Sequence, residues 1–240
     1  MSDPIKPTVV LVHGAFAESA SWDGVIVPLL DDGHRVVAVA NPLRGVKSDS
    51  DYVASVLRSI DHDIVLVGHS YGGMVNSNAA NGIDRVKALV FIGAFAPEFG
   101  ESAADLAGRF PGGTLGETLE SVPLLDGTND LYIRQDAYHA QFAADSSAED
   151  AAAMAVAQRP IVDSALSEPS GEPAWKHLPS WFLFGAEDRN IPVASHRFMA
   201  ERAGSRRTVE ISGGSHTVAI PEAAQAVDLI KEASAVPIAG

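Results

Sequence analysis

Cysteine is absent from this chain of 240 residues. Its absence excludes disulfide frameworks, thiol nucleophiles and Cys-ligated metal sites, and it weakly favours a reducing compartment. The sequence also lacks an apolar run of the roughly 20 residues that a membrane span requires, and residues 1–4 do not begin a signal peptide. We therefore expect a cytoplasmic protein with no membrane partner.

Basic residues are scarce, with 17 Lys and Arg against 31 Asp and Glu, which gives a formal net charge of −14. Such a charge repels phosphate backbones and anionic lipid surfaces. We therefore expect no nucleic-acid partner and a small, largely uncharged ligand. A homodimer is possible, but the apolar pattern does not separate an interface from the core.

Short apolar runs rich in β-branched residues alternate with helix-like segments, which is typical of βαβ units and a buried parallel sheet. Apolar residues at helical spacing follow the first run, and Gly33 stands where a helix would end. Further helices are predicted over 71–81, 194–203 and 221–235. The predicted strands are 8–12, 35–40, 63–68, 86–93, 180–185 and 207–212. The fold class is α/β, with a mostly parallel sheet of about six strands flanked by helices.

The alternation stops between residues 97 and 179, where no clear strand is visible and helical pieces are predicted over 102–110, 131–144 and 149–158. A connection of this length within a compact domain needs a structure of its own. We expect a helical cap over 97–179, inserted into a core made of 1–96 and 180–240; an elaborated surface without a role in binding is the alternative. The last residues, 236–240, are expected to form a loose tail.

The sharpest motif is Gly68-His69-Ser70-Tyr71-Gly72, which follows an apolar strand and precedes a helix. A G-x-S-x-G sequence in this context is typical of a nucleophile elbow, a sharp turn that projects the serine above the sheet edge. Glycines at 68 and 72 leave room for crowded backbone, and the helix N-terminus favours negative charge on a substrate oxygen. Ser70 is therefore the predicted nucleophile.

A serine hydroxyl needs a base to accept its proton, and histidine suits this task near neutral pH. His216 is the preferred candidate among eight, because Gly213 and Gly214 place it in a loop after the last predicted strand. His69 is expected to be packed or solvent-facing, and His13 to brace the loop after the first strand. Five others lack a distinguishing context and are interpreted as surface or hydrogen-bonded histidines: His34, His62, His139, His177 and His196.

The base in turn needs a carboxylate that orients it. Glu187 and Asp188 both follow the strand 180–185, and either could instead cap the next helix or pair with Arg189. An oxyanion also needs two backbone donors. We expect these to be the N–H groups of Tyr71, directly after the nucleophile, and of Ala15, in the loop after the first strand.

With these residues in place, the chain resembles the α/β-hydrolase superfamily, and within it the small bacterial carboxylesterases called pyrethroid-hydrolase-like. It is similar in turn to plant methyl-salicylate esterases and hydroxynitrile lyases. The resemblance covers nearly the whole chain and rests on residues 9–16, 41–43, 68–74, 95–97, 100–102, 158–160, 185–192, 197–203 and 213–216. It implies a triad of Ser70, Asp188 and His216, an oxyanion hole at Ala15 and Tyr71, and a lid over an apolar pocket.

The implied activity is hydrolysis of small, uncharged carboxylic esters, with no cofactor or metal. Three alternatives remain at this stage: an acyltransferase or perhydrolase, a hydroxynitrile-lyase-like C–C lyase, and a ligand receptor with little turnover. The lyase is disfavoured, because plant lyases of this fold have threonine at the position of Gly14 and lysine at that of Thr217. Candidate substrate contacts, each of which could equally be core packing, are Phe16, Tyr138, Phe142 and Trp175.

Overall fold

A computed structural model describes residues 6–235 of the chain. The predicted tail at 236–240 lies outside the described residues. In chain order the elements are β1 (Thr8–Val12), α1 (Asp23–Asp31), β2 (Val36–Val39), α2 (Val46–Arg58), β3 (Ile64–His69), α3 (Tyr71–Ala79), β4 (Val86–Ile92), α4 (Ala103–Ala107), α5 (Leu115–Thr118), β5 (Leu119–Pro123), β6 (Asn129–Ile133), α6 (Gln135–Phe142), α7 (Ala148–Ala157), β7 (Ile161–Val162), α8 (Asp163–Ser167), β8 (Ser180–Gly185), α9 (Val193–Arg202), β9 (Arg207–Ile211) and α10 (Ala223–Ser234).

Six parallel strands form the central sheet, in the order β2-β1-β3-β4-β8-β9. All six predicted strands are present, and each observed boundary lies within one residue of its prediction. Val12 pairs with Gly68, so that β1 and β3 end side by side. The loops that follow these two strands therefore begin next to each other at the carboxyl edge of the sheet, where open α/β sheets bind ligands.

The two faces of the sheet are covered by different helices. Along β1, Val9 and Leu11 belong to a core cluster with α1 and α10, whereas Val10 and Val12 belong to a larger cluster with α2, α3 and α9. This alternation is the period-2 pattern of a strand buried on both faces. It confirms the α/β prediction of helices on both sides of a parallel sheet.

The expectation of no strand between residues 97 and 179 is wrong. This region, called the cap below, contains a small antiparallel sheet in the order β5-β6-β7, together with short helices. Strand β5 is mostly exposed and β6 is only partly buried, so neither shows the apolar run by which strands are recognised. The predicted helix over 131–144 begins as β6 and becomes helical only at Gln135.

One core helix, α2, was not predicted. Its sequence is polar on average, but Val46, Val53 and Leu57 recur at helical spacing and are buried against the sheet. Within residues 6–235, no helix is long and apolar enough to cross a membrane.

Candidate active site

Ser70 lies in the turn between β3 and α3 with φ 53° and ψ −125°. A non-glycine residue at positive φ is strained and persists only where its surroundings hold it. Here the Ser70 carbonyl accepts hydrogen bonds from the N–H groups of Gly73, at 3.0 Å, and Phe95, at 3.1 Å. A Cβ on Gly72 would lie 2.3 Å from the Val12 carbonyl oxygen, so the close packing of the turn against the end of β1 requires glycine there. The turn is therefore a nucleophile elbow in its geometry.

The loop after β1 approaches this turn closely. A Cβ on Gly14 would lie 2.5 Å from the Cβ of Ser70, so only glycine allows this approach. The next residue, Ala15, is thereby brought beside the serine. Neither the Ala15 N–H nor the Tyr71 N–H donates to another protein group in the part of the chain that the structure describes, whereas the Phe16 N–H donates to the Arg159 carbonyl at 2.9 Å. Ala15 and Tyr71 both line the cavity that Ser70 borders.

His216 and Asp188 form a buried pair. The Nδ1 atom of His216 lies 2.8 Å from Oδ2 of Asp188, and both side chains are at most 1% exposed. Oδ1 of Asp188 accepts the backbone N–H groups of Asn190, at 2.8 Å, and Ile191, at 2.9 Å. An imidazole that donates from Nδ1 has Nε2 free to accept a proton.

The charge of Asp188 is stabilised by its partners. Burial by itself would raise the pKa of this carboxyl, but the charge that His216 can carry and the hydrogen bonds from His196 and His216 outweigh burial and hold the pKa well below its usual range. Asp188 is therefore an anion at neutral pH, as an orienting acid must be.

His69 supports His216 from the other side. Its Nε2 lies 3.0 Å from the His216 carbonyl oxygen, and the two ring centroids are 4.8 Å apart. Burial, and then the charge that His216 can carry, lower the pKa of His69 to about 3. His69 is thus a neutral, packed residue that donates to the backbone of its neighbour. His13 behaves as expected, since its Nε2 accepts the N–H of Asn41 at 3.0 Å and so braces the loop after β1.

Two contacts were missed at the sequence level. His196, on α9, is fully buried, and its Nε2 lies 2.9 Å from Oδ2 of Asp188. In the cap, the carboxylate of Asp145 accepts both the N–H and the hydroxyl of Ser215, the residue before His216. Local sequence carries no signal for either contact beyond the spacing of His196 with the buried Met199 and Ala200 on the same helix face.

Ser70 and His216 border the same cavity, called the serine cavity, with a volume of about 300 Å³. Ala15 and Tyr71 also line it, so all four residues predicted for the nucleophile, the base and the two oxyanion donors meet there. The rest of its lining is mostly apolar: Phe16, Phe95, Ala103, Ala107, Leu115, Leu119, Phe142, Leu166, Asn190 and Ile191 among others.

A second cavity of about 360 Å³, called the tryptophan cavity, is lined by Trp22, Tyr138 and His69 but by neither Ser70 nor His216. Although it is the larger of the two, it lacks the reactive groups, so the serine cavity is the candidate reaction site. Phe16 and Phe142 line both cavities, and their rings meet edge to face with centroids 6.2 Å apart.

The predicted substrate contacts thus divide. Phe16 and Phe142 border the serine cavity, whereas Tyr138 borders only the tryptophan cavity and donates its hydroxyl to the Phe16 carbonyl at 2.7 Å. Trp175 was misplaced by the prediction, since it lines neither cavity. Its Nε1 donates to the Pro97 carbonyl at 2.8 Å and its ring lies beneath the guanidinium of Arg202, so it packs the base of the cap.

Over the described range 6–235, no cluster of three or more His, Asp or Glu side chains is arranged to hold a metal ion. The side-chain hydrogen bonds of the site join Asp188 to His216 and His196 instead. The groups that the site offers are a serine hydroxyl, an imidazole, a buried carboxylate and two backbone N–H groups.

Comparison with known proteins identifies the family and the fold. The profile of the Alpha/beta hydrolase family matches residues 9–229. Among curated proteins, the chain is similar to the alpha-hydroxynitrile lyase of Arabidopsis thaliana, with 25% identity over 89% of this chain and 91% of that protein. It is equally similar to methylesterase 2 of Arabidopsis thaliana, with 25% identity over 88% of this chain and 89% of that protein.

Two solved structures share the fold. The structure of polyneuridine aldehyde esterase superposes with a TM-score of 0.81 at 20% identity, covering 95% of this chain and 98% of that one. A pyrethroid hydrolase from Sphingobium faniae JZ-2 superposes with a TM-score of 0.72 at 20% identity, covering 96% and 98% of the two chains. The expected resemblance to pyrethroid hydrolases, plant methylesterases and hydroxynitrile lyases is confirmed as a distant similarity.

Proposed function

The chain belongs to the α/β-hydrolase family, and we propose that it is a serine esterase that hydrolyses small, uncharged carboxylic esters. The observation that carries the proposal is the meeting of Ser70, held at φ 53°, with the Asp188-bonded His216 at one apolar cavity. Backbone strain at a serine and a buried His–Asp pair beside it are together typical of nucleophilic catalysis.

The reaction proceeds in two steps. Nε2 of His216 takes the proton from Oγ of Ser70 while Oγ bonds to the ester carbonyl carbon, and the N–H groups of Ala15 and Tyr71 stabilise the negative oxygen. The carbon–oxygen bond to the alcohol then breaks, and the leaving oxygen receives the proton from His216. Water then attacks the acyl-enzyme, with His216 again as the base. This step releases the carboxylic acid and restores Ser70.

The lining of the serine cavity supports an uncharged substrate. Its lining residues include no Asp, Glu, Lys or Arg side chain, so a charged acyl or alcohol group would lose its hydration there without finding a partner. A volume of about 300 Å³ suits a small ester with an apolar acyl or aryl group.

The names of several relatives support an ester as substrate. They include the methylesterases of Arabidopsis thaliana and the carbendazim hydrolyzing esterase of Nocardioides sp. (strain SG-4G), which is 34% identical over 106 residues, 39% of this chain and 44% of that protein. The lyase relative differs in expected chemistry, because this chain has Gly14 and Thr217 and so offers no cation at position 217 for a leaving cyanide.

The test is hydrolysis of p-nitrophenyl esters of increasing acyl length by the wild type and by Ser70→Ala, with Ser59→Ala as control. Ser59 is exposed at the end of α2, before the amino end of β3, whereas Ser70 follows the carboxyl end of that strand. We expect turnover that depends on chain length, is retained by Ser59→Ala and is abolished by Ser70→Ala. Equal activity of wild type and Ser70→Ala would overturn the proposal.

The same preparations separate the alternatives. Cyanide release from mandelonitrile would indicate the lyase, and acyl transfer to added alcohol or peroxide in preference to water would indicate an acyltransferase or perhydrolase. Thermal stabilisation by an ester that is bound but never cleaved would indicate a receptor.

A further inference from the structure

Asp188 is bonded by two histidines on one oxygen atom. Oδ2 lies 2.8 Å from Nδ1 of His216 and 2.9 Å from Nε2 of His196, while Oδ1 is saturated by two backbone N–H groups. A triad needs only the first of these imidazoles. The second imidazole, that of His196, has no other hydrogen bond to the residues that the structure describes.

The surroundings of His196 define its tautomer. The ring is fully buried and stacks on Phe184, with centroids 4.8 Å apart and planes 7° from parallel. Its Nδ1 has no hydrogen-bond partner among residues 6–235. A proton on Nδ1 would be a buried donor without an acceptor, which is costly, whereas a bare Nδ1 leaves only a weak acceptor unpaired. His196 therefore carries its proton on Nε2, pointed at Asp188.

From this arrangement we infer that His196 is a positioning residue for the triad, which donates from Nε2 to Asp188 and sets how strongly that carboxylate stabilises the protonated form of His216. The inference rests on the proposed function. His196 does not line the serine cavity, so it acts on the reaction through Asp188 alone.

The expected consequence follows from charge. A carboxylate oxygen that already accepts a hydrogen bond from His196 has part of its negative charge compensated, and it stabilises a cation on the other histidine less. Without the bond from His196, Oδ2 of Asp188 would stabilise a positive charge on His216 more strongly. Removing the donor should move the acidic limb of the pH profile of kcat/KM to higher pH.

The titratable groups around His196 are few. Asp188 touches it, and His216 lies on the other side of the shared oxygen. Glu210, on the neighbouring strand β9, is a further carboxylate on this side of the sheet, but it is paired with the exposed Arg197. Neither Glu210 nor Arg197 bonds to Asp188, so the pH profile should follow the pair of histidines.

The sharpest test compares His196→Gln with His196→Asn. The amide nitrogen of glutamine can occupy the position of Nε2 and keep the donor to Asp188, whereas that of asparagine occupies the position of Nδ1 and cannot reach it. We expect His196→Asn to move the acidic limb up by about one pH unit and to lower kcat/KM about tenfold at pH values below the limb. His196→Gln should keep the wild-type limb, and KM should change little in either variant.

His34→Asn is the matched control. His34 is another buried histidine beside a carboxylate, with Nε2 3.3 Å from Oδ2 of Asp32, but it lies at the opposite end of the sheet near Pro7. The His34→Asn variant should be less stable than the wild type, but the acidic limb of its kcat/KM profile should not move. A merely structural role of His196 would lower the whole profile through a smaller active fraction and leave the limb in place, and that result would overturn the inference.

A second measurement needs no variant. In wild-type protein with ¹⁵N-labelled histidine, ¹H–¹⁵N NMR should show a proton on Nε2 of His196 and none on its Nδ1. A proton on Nδ1 would contradict the inference even if His196→Asn did not fold. Failure of the proposed function would be recognised separately, because turnover would then not depend on Ser70.

Discussion

The carboxylate of Asp145 accepts hydrogen bonds from both the backbone N–H and the side-chain hydroxyl of Ser215. Asp145 belongs to the cap, and Ser215 directly precedes His216 in the loop after β9. Residues of the cap therefore bond the histidine loop as well as lining the serine cavity. Binding of the loop by a cap residue links the position of the cap to the geometry of the His–Asp pair.

Asp145→Asn should weaken this link. An amide can accept from one of the two Ser215 donors but presents an N–H group to the other, so the loop loses one charge-assisted hydrogen bond. We expect kcat to fall about tenfold and KM to change little. A tenfold fall corresponds to about 1.4 kcal/mol of activation free energy, which is comparable to the loss of one hydrogen bond to a charged group. Steady-state kinetics on a p-nitrophenyl ester measures both.

Asp126→Asn is the control for Asp145→Asn. Asp126 also lies in the cap and also accepts a backbone N–H and a hydroxyl, both from Thr128, but its turn is exposed. Equal kinetics for the two variants would show that the contact between cap and loop has no role in turnover.

Gly14→Ala should block assembly of the site. The new methyl group would lie 2.5 Å from Cβ of Ser70, so the loop after β1 must move and carry the Ala15 N–H with it. Displacement of an oxyanion donor by about 1 Å is expected to cost about a hundredfold in kcat. Gly116→Ala, where an added Cβ meets no atom within 4 Å, is the control for folding and should leave the melting temperature unchanged or slightly higher. Full activity of Gly14→Ala would contradict the assignment of Ala15.

Backbone strain at Ser70 should be measurable as a difference in the free energy of unfolding between two variants. Ser70 has φ 53°, a region that glycine occupies without a Cβ penalty. We expect Ser70→Gly to be more stable than Ser70→Ala by about 1 kcal/mol, both variants being inactive. Urea unfolding of the two inactive variants gives the difference, and a more stable Ser70→Ala would show that the turn is not strained.

His69 should make the fold sensitive to acid. Its pKa is lowered to about 3 in the folded state, mainly by burial, whereas an unfolded histidine has about 6.5. The neutral form is favoured by folding, so this stabilisation is complete above about pH 6.5 and is lost as pH falls toward the folded value. Between pH 7.5 and 5.5, protonation of the unfolded state at this site alone should cost about 1.4 kcal/mol.

The measurement is urea unfolding of the wild type and of His69→Gln at these two pH values. The glutamine amide can still donate to the His216 carbonyl, but it does not titrate, so the variant should lose less stability on acidification. His177→Gln removes an exposed histidine and should behave as the wild type. An identical pH dependence of wild type and His69→Gln would contradict a buried, neutral His69.

Local sequence patterns predicted the parts of the molecule that depend on neighbours in the chain. The six core strands are short apolar runs, and the turn at Ser70 is specified by glycines two residues away on either side. The antiparallel sheet of the cap escaped prediction because β5 is mostly exposed, β6 is only partly buried and neither shows a long apolar run.

The missed contacts of the site depend on tertiary structure. His196 reaches Asp188 because α9 turns back over β8, and Asp145 reaches Ser215 across 70 residues of sequence. Trp175 shows the converse, since a large aromatic residue in the cap was predicted to meet substrate but packs against Pro97 and Arg202 instead. Aromatic composition alone does not distinguish a cavity lining from a core.

The central claim, that Ser70 is the nucleophile activated by His216, is tested most directly by covalent labelling with a fluorophosphonate and intact-mass analysis followed by peptide mapping. The account predicts one adduct per chain, located on Ser70, absent from Ser70→Ala and formed much more slowly by His216→Gln. Labelling of another residue, or labelling of Ser70 at the same rate in His216→Gln, would contradict it.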